Sequence, residues 1–174
     1  DARQSLSVNS ALTGRLEGGS LANTVASAAA RYYLRQSPRR LLFLGVSTDI
    51  GSNLDPDKPI TLGGDSGLRG YPLRYQGGEG SWLFTAEQHF FPNWYPFRLA
   101  NVGAAIFFDA GRTWGKYPAG SESQGVLKDI GFGLRLGNGR SALGNVIHLD
   151  FAFPLNGSTS IDRMQFLIQT KRSF

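Results

Sequence analysis

Apolar residues recur at every second position through most of this chain, and that spacing predicts strands, because successive side chains on an extended backbone point to opposite faces. In residues 101–109, Val102, Ala104, Ile106 and Phe108 share one face, while Asn101, Gly103, Ala105, Phe107 and Asp109 share the other. Ile130, Phe132, Leu134 and Leu136 alternate in the same way with Asp129, Gly131, Gly133, Arg135 and Gly137. Ile147, Leu149, Phe151 and Phe153 interleave with His148, Asp150 and Ala152; Met164, Phe166, Ile168 and Phe174 interleave with Gln165, Gln169, Lys171 and Ser173. Residues 82–91 and 42–50 read as strands too, and 5–16 and 22–35 carry a weaker alternation. Eight amphipathic strands are expected, of about the ten residues with which a tilted strand crosses a bilayer.

The connections test that reading independently. With the end of the chain placed on the periplasmic side, 138–144, 92–97 and 36–40 become short periplasmic turns, and 111–126 and 53–80 become long external loops. Outer-membrane barrels show this asymmetry. Only the hairpin at 17–20 departs from it. Tyr32, Tyr33, Phe90, Phe91, Trp94, Tyr95 and Phe97 gather at the periplasmic strand ends, where aromatic side chains suit the bilayer interface. In hydrocarbon an unpaired backbone group costs several kcal/mol, so a sheet there closes on itself or on a partner. A soluble sandwich is the plainer alternative, since alternation alone does not say whether the apolar face meets lipid or a second sheet.

Composition narrows the choice. Hydrophobic residues are 41% and charged ones 18%, yet no run approaches the eighteen or so apolar residues of a membrane helix. The 23 glycines, aromatic content and absence of cysteine suit strands with tight turns and exclude disulfides and thiolate metal sites. The formal charge of +5 does not point to nucleic acid, because the basic residues are scattered and the pairs Arg39-Arg40 and Lys171-Arg172 fall at strand ends. The first residues lack the pattern of a signal peptide, which is compatible with a cleaved signal or with excision from a longer chain.

Three motifs carry a family resemblance. The loop at 53–80 contains Leu68-Arg69-Gly70-Tyr71, strand 101–109 runs into Phe107-Phe108-Asp109-Ala110-Gly111, and the chain ends on an alternating stretch from Phe166 through Ile168 to Phe174. Their order and spacing resemble the bacterial surface antigen superfamily of outer-membrane assembly and secretion barrels (BamA, TamA and FhaC-like). The likeness covers essentially the whole chain and corresponds to the last eight of the family's sixteen strands. It implies that Leu68, Arg69, Gly70 and Tyr71 form the motif of an inward lid, that Phe107, Asp109 and Gly111 are a strand motif, and that Phe166, Ile168 and Phe174 are a C-terminal insertion signal. The implied fold is an all-β, antiparallel transmembrane β-barrel with eight strands per chain, one domain over 1–174. The eight strands form either a closed small barrel or half of a sixteen-stranded one, completed by a second copy through edge-strand pairing or by strands of a longer chain.

Parity places Glu87, Asp109, Asp129 and Asp150 on the face opposite the apolar one, which in a barrel is the lumen. Gly67 and Gly70 permit turns that aim Arg69, and a guanidinium inserted there would find a carboxylate in Asp109 or Glu87. From the residues alone, a solvated loop arginine is the competing reading. Gly64-Asp65-Ser66-Gly67 mimics a serine-protease turn, but both histidines, His89 and His148, follow it, against that family's order. The glycines 131, 133 and 137 lie inside a strand rather than at a dinucleotide-binding turn. His89 and His148 share the inner parity and read as polar interior before metal ligands. The expected protein is therefore not an enzyme and uses no metal or cofactor. It is an integral outer-membrane barrel with periplasmic termini, related to protein assembly or translocation, with a small structural or passive-channel barrel as the alternative. Its expected partners are the lipid bilayer, lipopolysaccharide and unfolded outer-membrane or secreted polypeptides, not nucleic acid.

Overall fold

The computed structural model describes residues 3–92, 101–116, 125–137 and 145–172, and these form strands without a helix. The strands are β1 (Gln4–Glu17), β2 (Ser20–Ser37), β3 (Arg40–Ser52), β4 (Ile60–Leu62), β5 (Gln76–Gly78), β6 (Gly80–Phe90), β7 (Asn101–Trp114), β8 (Leu127–Gly137), β9 (Asn145–Pro154) and β10 (Gln165–Arg172). Eight of them make one antiparallel sheet in the order β1-β2-β3-β6-β7-β8-β9-β10, and β4 pairs only with β5. Each strand expected from the alternation is present. The β4–β5 hairpin within 53–79 was not anticipated, because three residues are too few to display a period.

Residues 22–35 alternate weakly since Ala26, Ala28, Ala29 and Ala30 blur the two faces, yet β2 is the longest strand, held on both sides by β1 and β3. The β1–β2 hairpin turns through Gly18 and Gly19 at φ 55° and 83°, the positive values that a two-residue turn between twisted strands requires.

Register fixes which side chains share a face. Phe43 opposes Glu87, Glu87 opposes Phe107, Phe107 opposes Gly131, and Gly131 opposes Ala152, one row across five strands. The row one residue away, including Phe108 and Ile130, is on the other face. Along β8 the inner positions Asp129, Gly131, Gly133 and Arg135 are buried, while Lys128, Ile130, Phe132 and Leu134 are exposed. The outer side chains of Leu42, Ala86, Ile106, Phe108, Ile130 and Phe132 line a shallow apolar groove of about 550 Å³. Phe132 stacks on Phe151 and Phe153 at 5.5 and 6.2 Å between ring centroids. An apolar face of this extent, exposed and continuous across strands, suits contact with lipid chains.

The sheet is open. Strands β1 and β10 each have one neighbour and do not pair with each other, so the described chain is not a closed eight-stranded cylinder. The long connection between β3 and β6 turns back over the inner face instead of extending from the strand ends. Expectations placed on Phe174, Trp94, Tyr95, Phe97 and the turn at 138–144 lie outside the described residues, as do most of 92–97 and the middle of 111–126.

Candidate functional site

The site is assembled where the 53–79 connection crosses the inner face of β6 to β9. At its start, Asn23 and Asn53 adopt positive φ (48° and 52°) and join through an Asn23 N–H to Asn53 carbonyl bond of 2.8 Å. The Asp55 N–H donates to Asn23 Oδ1 at 2.6 Å, and the Asn23 amide donates back to the Asp55 carboxylate. That bond holds the Asp55 carboxyl below its usual range; partial burial opposes the shift, and Lys58 and Arg15 add to it. The segment then tightens: Ser66 and Leu68 N–H both donate to the Gly63 carbonyl, and Tyr71 N–H donates to that of Leu68. Gly67 supplies the turn, at φ 109°, where a side chain would also run into Leu83.

Leu68 and Tyr71 point into the sheet and pack with Leu62 and Leu127 as a small fully enclosed cluster, flanked by Tyr75, Leu83 and Ile161. The Tyr71 hydroxyl accepts the Lys128 N–H at 3.1 Å and faces the Lys128 and Asn156 carbonyl oxygens at 2.8 and 2.9 Å as donor. Its loss of water pushes the phenol pKa up to about 12. Gly70 lies flat on β8: an added Cβ would stand 2.5 Å from Asp129 Cβ and 3.0 Å from the Pro154 nitrogen. A second anchor comes from the buried Gln76, which donates to the Gly125 carbonyl at 3.1 Å and accepts the Thr113 N–H at 2.9 Å.

Arg69 is at the centre, 4% exposed. Its Nε and Nη2 donate to Asp109 Oδ2 and Oδ1 at 2.7 and 3.1 Å, a two-point contact in the plane of the guanidinium. Nη1 donates to Glu87 Oε2 at 2.9 Å and reaches Asp150 Oδ2 at 3.4 Å. The flat face of the guanidinium lies 3.4 Å above the Phe107 ring centroid, a cation–π stack. Burial works against the charge of Arg69, but Asp109, Glu87 and Asp150 outweigh it and raise the guanidinium pKa above its already high ordinary value. The arginine is permanently charged.

Arg135 completes the cluster from β8. It donates to Asp150 Oδ1 at 2.5 Å and, through two nitrogens, to Glu87 Oε1, so each of these carboxylates bridges two guanidiniums. Glu87 also meets His89 Nε2 at 3.3 Å. Gly131 leaves the space that the Phe107 ring fills, and Gly133 leaves the space for the Asp150 carboxylate. Among the described residues no group of three His, Cys, Asp or Glu side chains could hold a metal ion.

The structure thus brings together Leu68, Arg69, Gly70, Tyr71, Glu87, Phe107 and Asp109, with Gly111 nearby, where a Cβ would stand 3.1 Å from Leu62. It does not bring Phe166 or Ile168 there; both are exposed on the outer face of β10. Sequence reasoning missed Asp150 and Arg135 as members of the cluster, Phe107 as the ring beneath Arg69, and the Gln76–Thr113 anchor. Inner parity with a charge was the available signal for the first two. Glutamine in a loop offers none.

Chemically, the arrangement fastens a loop to a sheet through ion pairs between nearly buried side chains. Comparison with curated proteins gives no match. The model of the Omp85 superfamily domain matches residues 4–171, the same span that contains the eight-stranded sheet, its apolar outer face and its inserted loop, so the chain belongs to the Omp85 superfamily of bacterial outer-membrane proteins.

Proposed function

We propose that this chain is a non-enzymatic wall of an outer-membrane pore that assembles or translocates polypeptides, and that its 53–79 segment is a lid bracing the lumen. The Omp85 superfamily serves outer-membrane protein assembly and secretion in general, which supports the class of activity. The observation that carries the lid is the two-point contact of Arg69 on Asp109, shared with Glu87 and Asp150 among nearly buried side chains. Withdrawing Arg69 leaves Glu87 and Asp150 with Arg135 but the buried Asp109 carboxylate without its partner, at a cost of about 3 to 5 kcal/mol. The lid is therefore held at rest and opens only when another interaction offsets that cost. In this reading the inner face is the lumen, the 37–40 turn is periplasmic, and the unpaired edges of β1 and β10 are covered by a second copy or by strands outside this sheet.

Beside the lid a cavity of about 360 Å³ is lined by Tyr33, Phe43 and Gln169 together with Arg69. A photo-crosslinking residue at Tyr33 or Gln169 of the protein in outer-membrane vesicles should capture an unfolded outer-membrane polypeptide supplied from the turn end. The same residue at the outward Ile168 should not. Capture at none of these positions by a correctly folded protein would leave a passive structural barrel as the better reading.

A further inference from the structure

The end of the sheet opposite the inserted loop has a one-sided charge. Register defines that end: Gln4 opposes Leu34, Ser37 opposes Arg40, Arg40 opposes Phe90, Asn101 opposes Gly137, and Arg172 opposes Asn145. Arg3, Arg35, Arg39 and Arg40 lie there, with Arg135 just inside, and the described residues of that end include no aspartate or glutamate. The loop end, by contrast, mixes Glu17, Asp55, Glu79 and Asp162 with Arg15, Lys58, Arg74 and Arg112. Among the described residues the positive charge without acidic neighbours is thus gathered at one rim.

A cavity of about 100 Å³ opens at this rim between Arg35, Arg40, His89, Arg135 and His148, with Leu41, Phe91 and Val146 as an apolar lip. Arg135 is neutralised from within by Glu87 and Asp150. Arg35 and Arg40 enter none of the ion pairs among the described residues. Arg35 shares the inner row, opposite Leu41, while Arg40 belongs to the outer row, opposite Phe90, so the two guanidiniums meet at the edge of the sheet from different faces. Arg35 and Arg40 are exposed, so water screens much of their mutual repulsion, and an anion between them relieves the rest. At roughly 30 Å³ per water, the recess has room for a single tetrahedral oxyanion and not for a folded segment.

We propose that this rim recess binds a phosphate group, gripped by Arg35 and Arg40 with Arg135 behind. Guanidinium geometry matches phosphate oxygens, and two uncompensated arginines attract the group whether it is a singly charged diester or a free phosphate. The group is carried by a phospholipid headgroup, for which the apolar lip of Leu41, Phe91 and Val146 is suited, or arrives as free phosphate. The alternative is that these arginines only reach into the interface as a diffuse charge, in which case position within the recess is irrelevant.

The test uses the whole chain folded in nonionic detergent and titrated calorimetrically with inorganic phosphate, then in neutral-lipid nanodiscs with and without phosphatidylglycerol. Saturable phosphate binding is expected, weakened about tenfold or more by Arg35→Gln or Arg40→Gln, as loss of a hydrogen bond to a charged group implies. Arg39→Gln removes the same charge beside the recess and should change binding by less than about twofold. If phosphatidylglycerol in the disc abolishes uptake of free phosphate, the headgroup is the source; if uptake persists, free phosphate is. Heat-modifiable gel mobility shows that each variant is folded. Absence of saturable binding, equal loss in Arg39→Gln, or retention of an acidic peptide that phosphate does not displace would overturn the proposal.

Discussion

Strands β8 and β1 carry the same kind of message and end in different surroundings. In β8 the inner positions are closed off and the outer ones open, residue by residue. In β1 the alternation is weaker, with Ser10 and Gly14 on the face of Leu6, Val8, Leu12 and Leu16, opposite Ser5, Ser7, Asn9 and Thr13, and all fourteen positions are exposed. The inserted loop lies against the wall containing β8 and gives its inner face a partner. Among the described residues no element covers β1, whose outer edge also lacks a strand. Period-two spacing therefore tells which side chains share a face, and what that face touches depends on contacts from elsewhere.

The comparison is broken most strongly at Arg69. Arg69→Ala should destabilise the docked loop by about 3 to 5 kcal/mol, while Ser7→Ala on the inner face of β1 should cost less than about 0.5 kcal/mol. Urea unfolding from detergent measures both, and protease cleavage within 53–79 reports whether the loop has left the sheet. Arg69→Lys should rescue little, since lysine keeps the charge but cannot span both oxygens of Asp109 or stack flat on Phe107. An unchanged midpoint and unchanged loop protection in Arg69→Ala would mean that the loop is held by its apolar cluster alone.

Glycine offers a finer contrast. Gly70→Ala drives a methyl into Asp129 and should cost about 1 to 3 kcal/mol. In Gly14→Ala the new methyl meets chiefly the Thr24 hydroxyl, at 3.2 Å, and the effect should stay within about 0.5 kcal/mol. Equal losses at the two positions would show that the hairpin is packed as tightly as the loop-covered wall.

The smallest effect is expected where the loop is tied to the open hairpin. The Asp55 carboxyl sits below its usual range because of the hydrogen bond from Asn23. A depressed carboxyl stabilises the folded state fully above its unfolded value of about 3.9 and loses that contribution as pH falls through the lower folded value. Amide-exchange protection of Asn23 and Asp55 should accordingly drop as pH falls below about 4 through the lower folded value, and Asp55→Asn should remove the dependence.

Much of this was legible before any coordinates. The eight strands, their two faces, the inner parity of Glu87, Phe107, Asp109, Asp129 and Asp150, and the oddity of an arginine between glycines follow from local spacing, because pleat and turn chemistry act over a few residues. Local spacing does not say how far strands are shifted against one another beyond the hairpins, nor where a loop of more than twenty residues comes to rest. Only the tertiary structure put Arg135 and Asp150 beside Arg69, Phe107 beneath it and Gln76 on Thr113, from residues as far apart as Arg69 and Asp150. It also left β1 and β10 as open edges and collected Arg35, Arg40 and Arg135 around one recess. Those arrangements depend on contacts between residues distant in sequence, whose charges and shapes become meaningful when the sheet's register brings them within reach of each other.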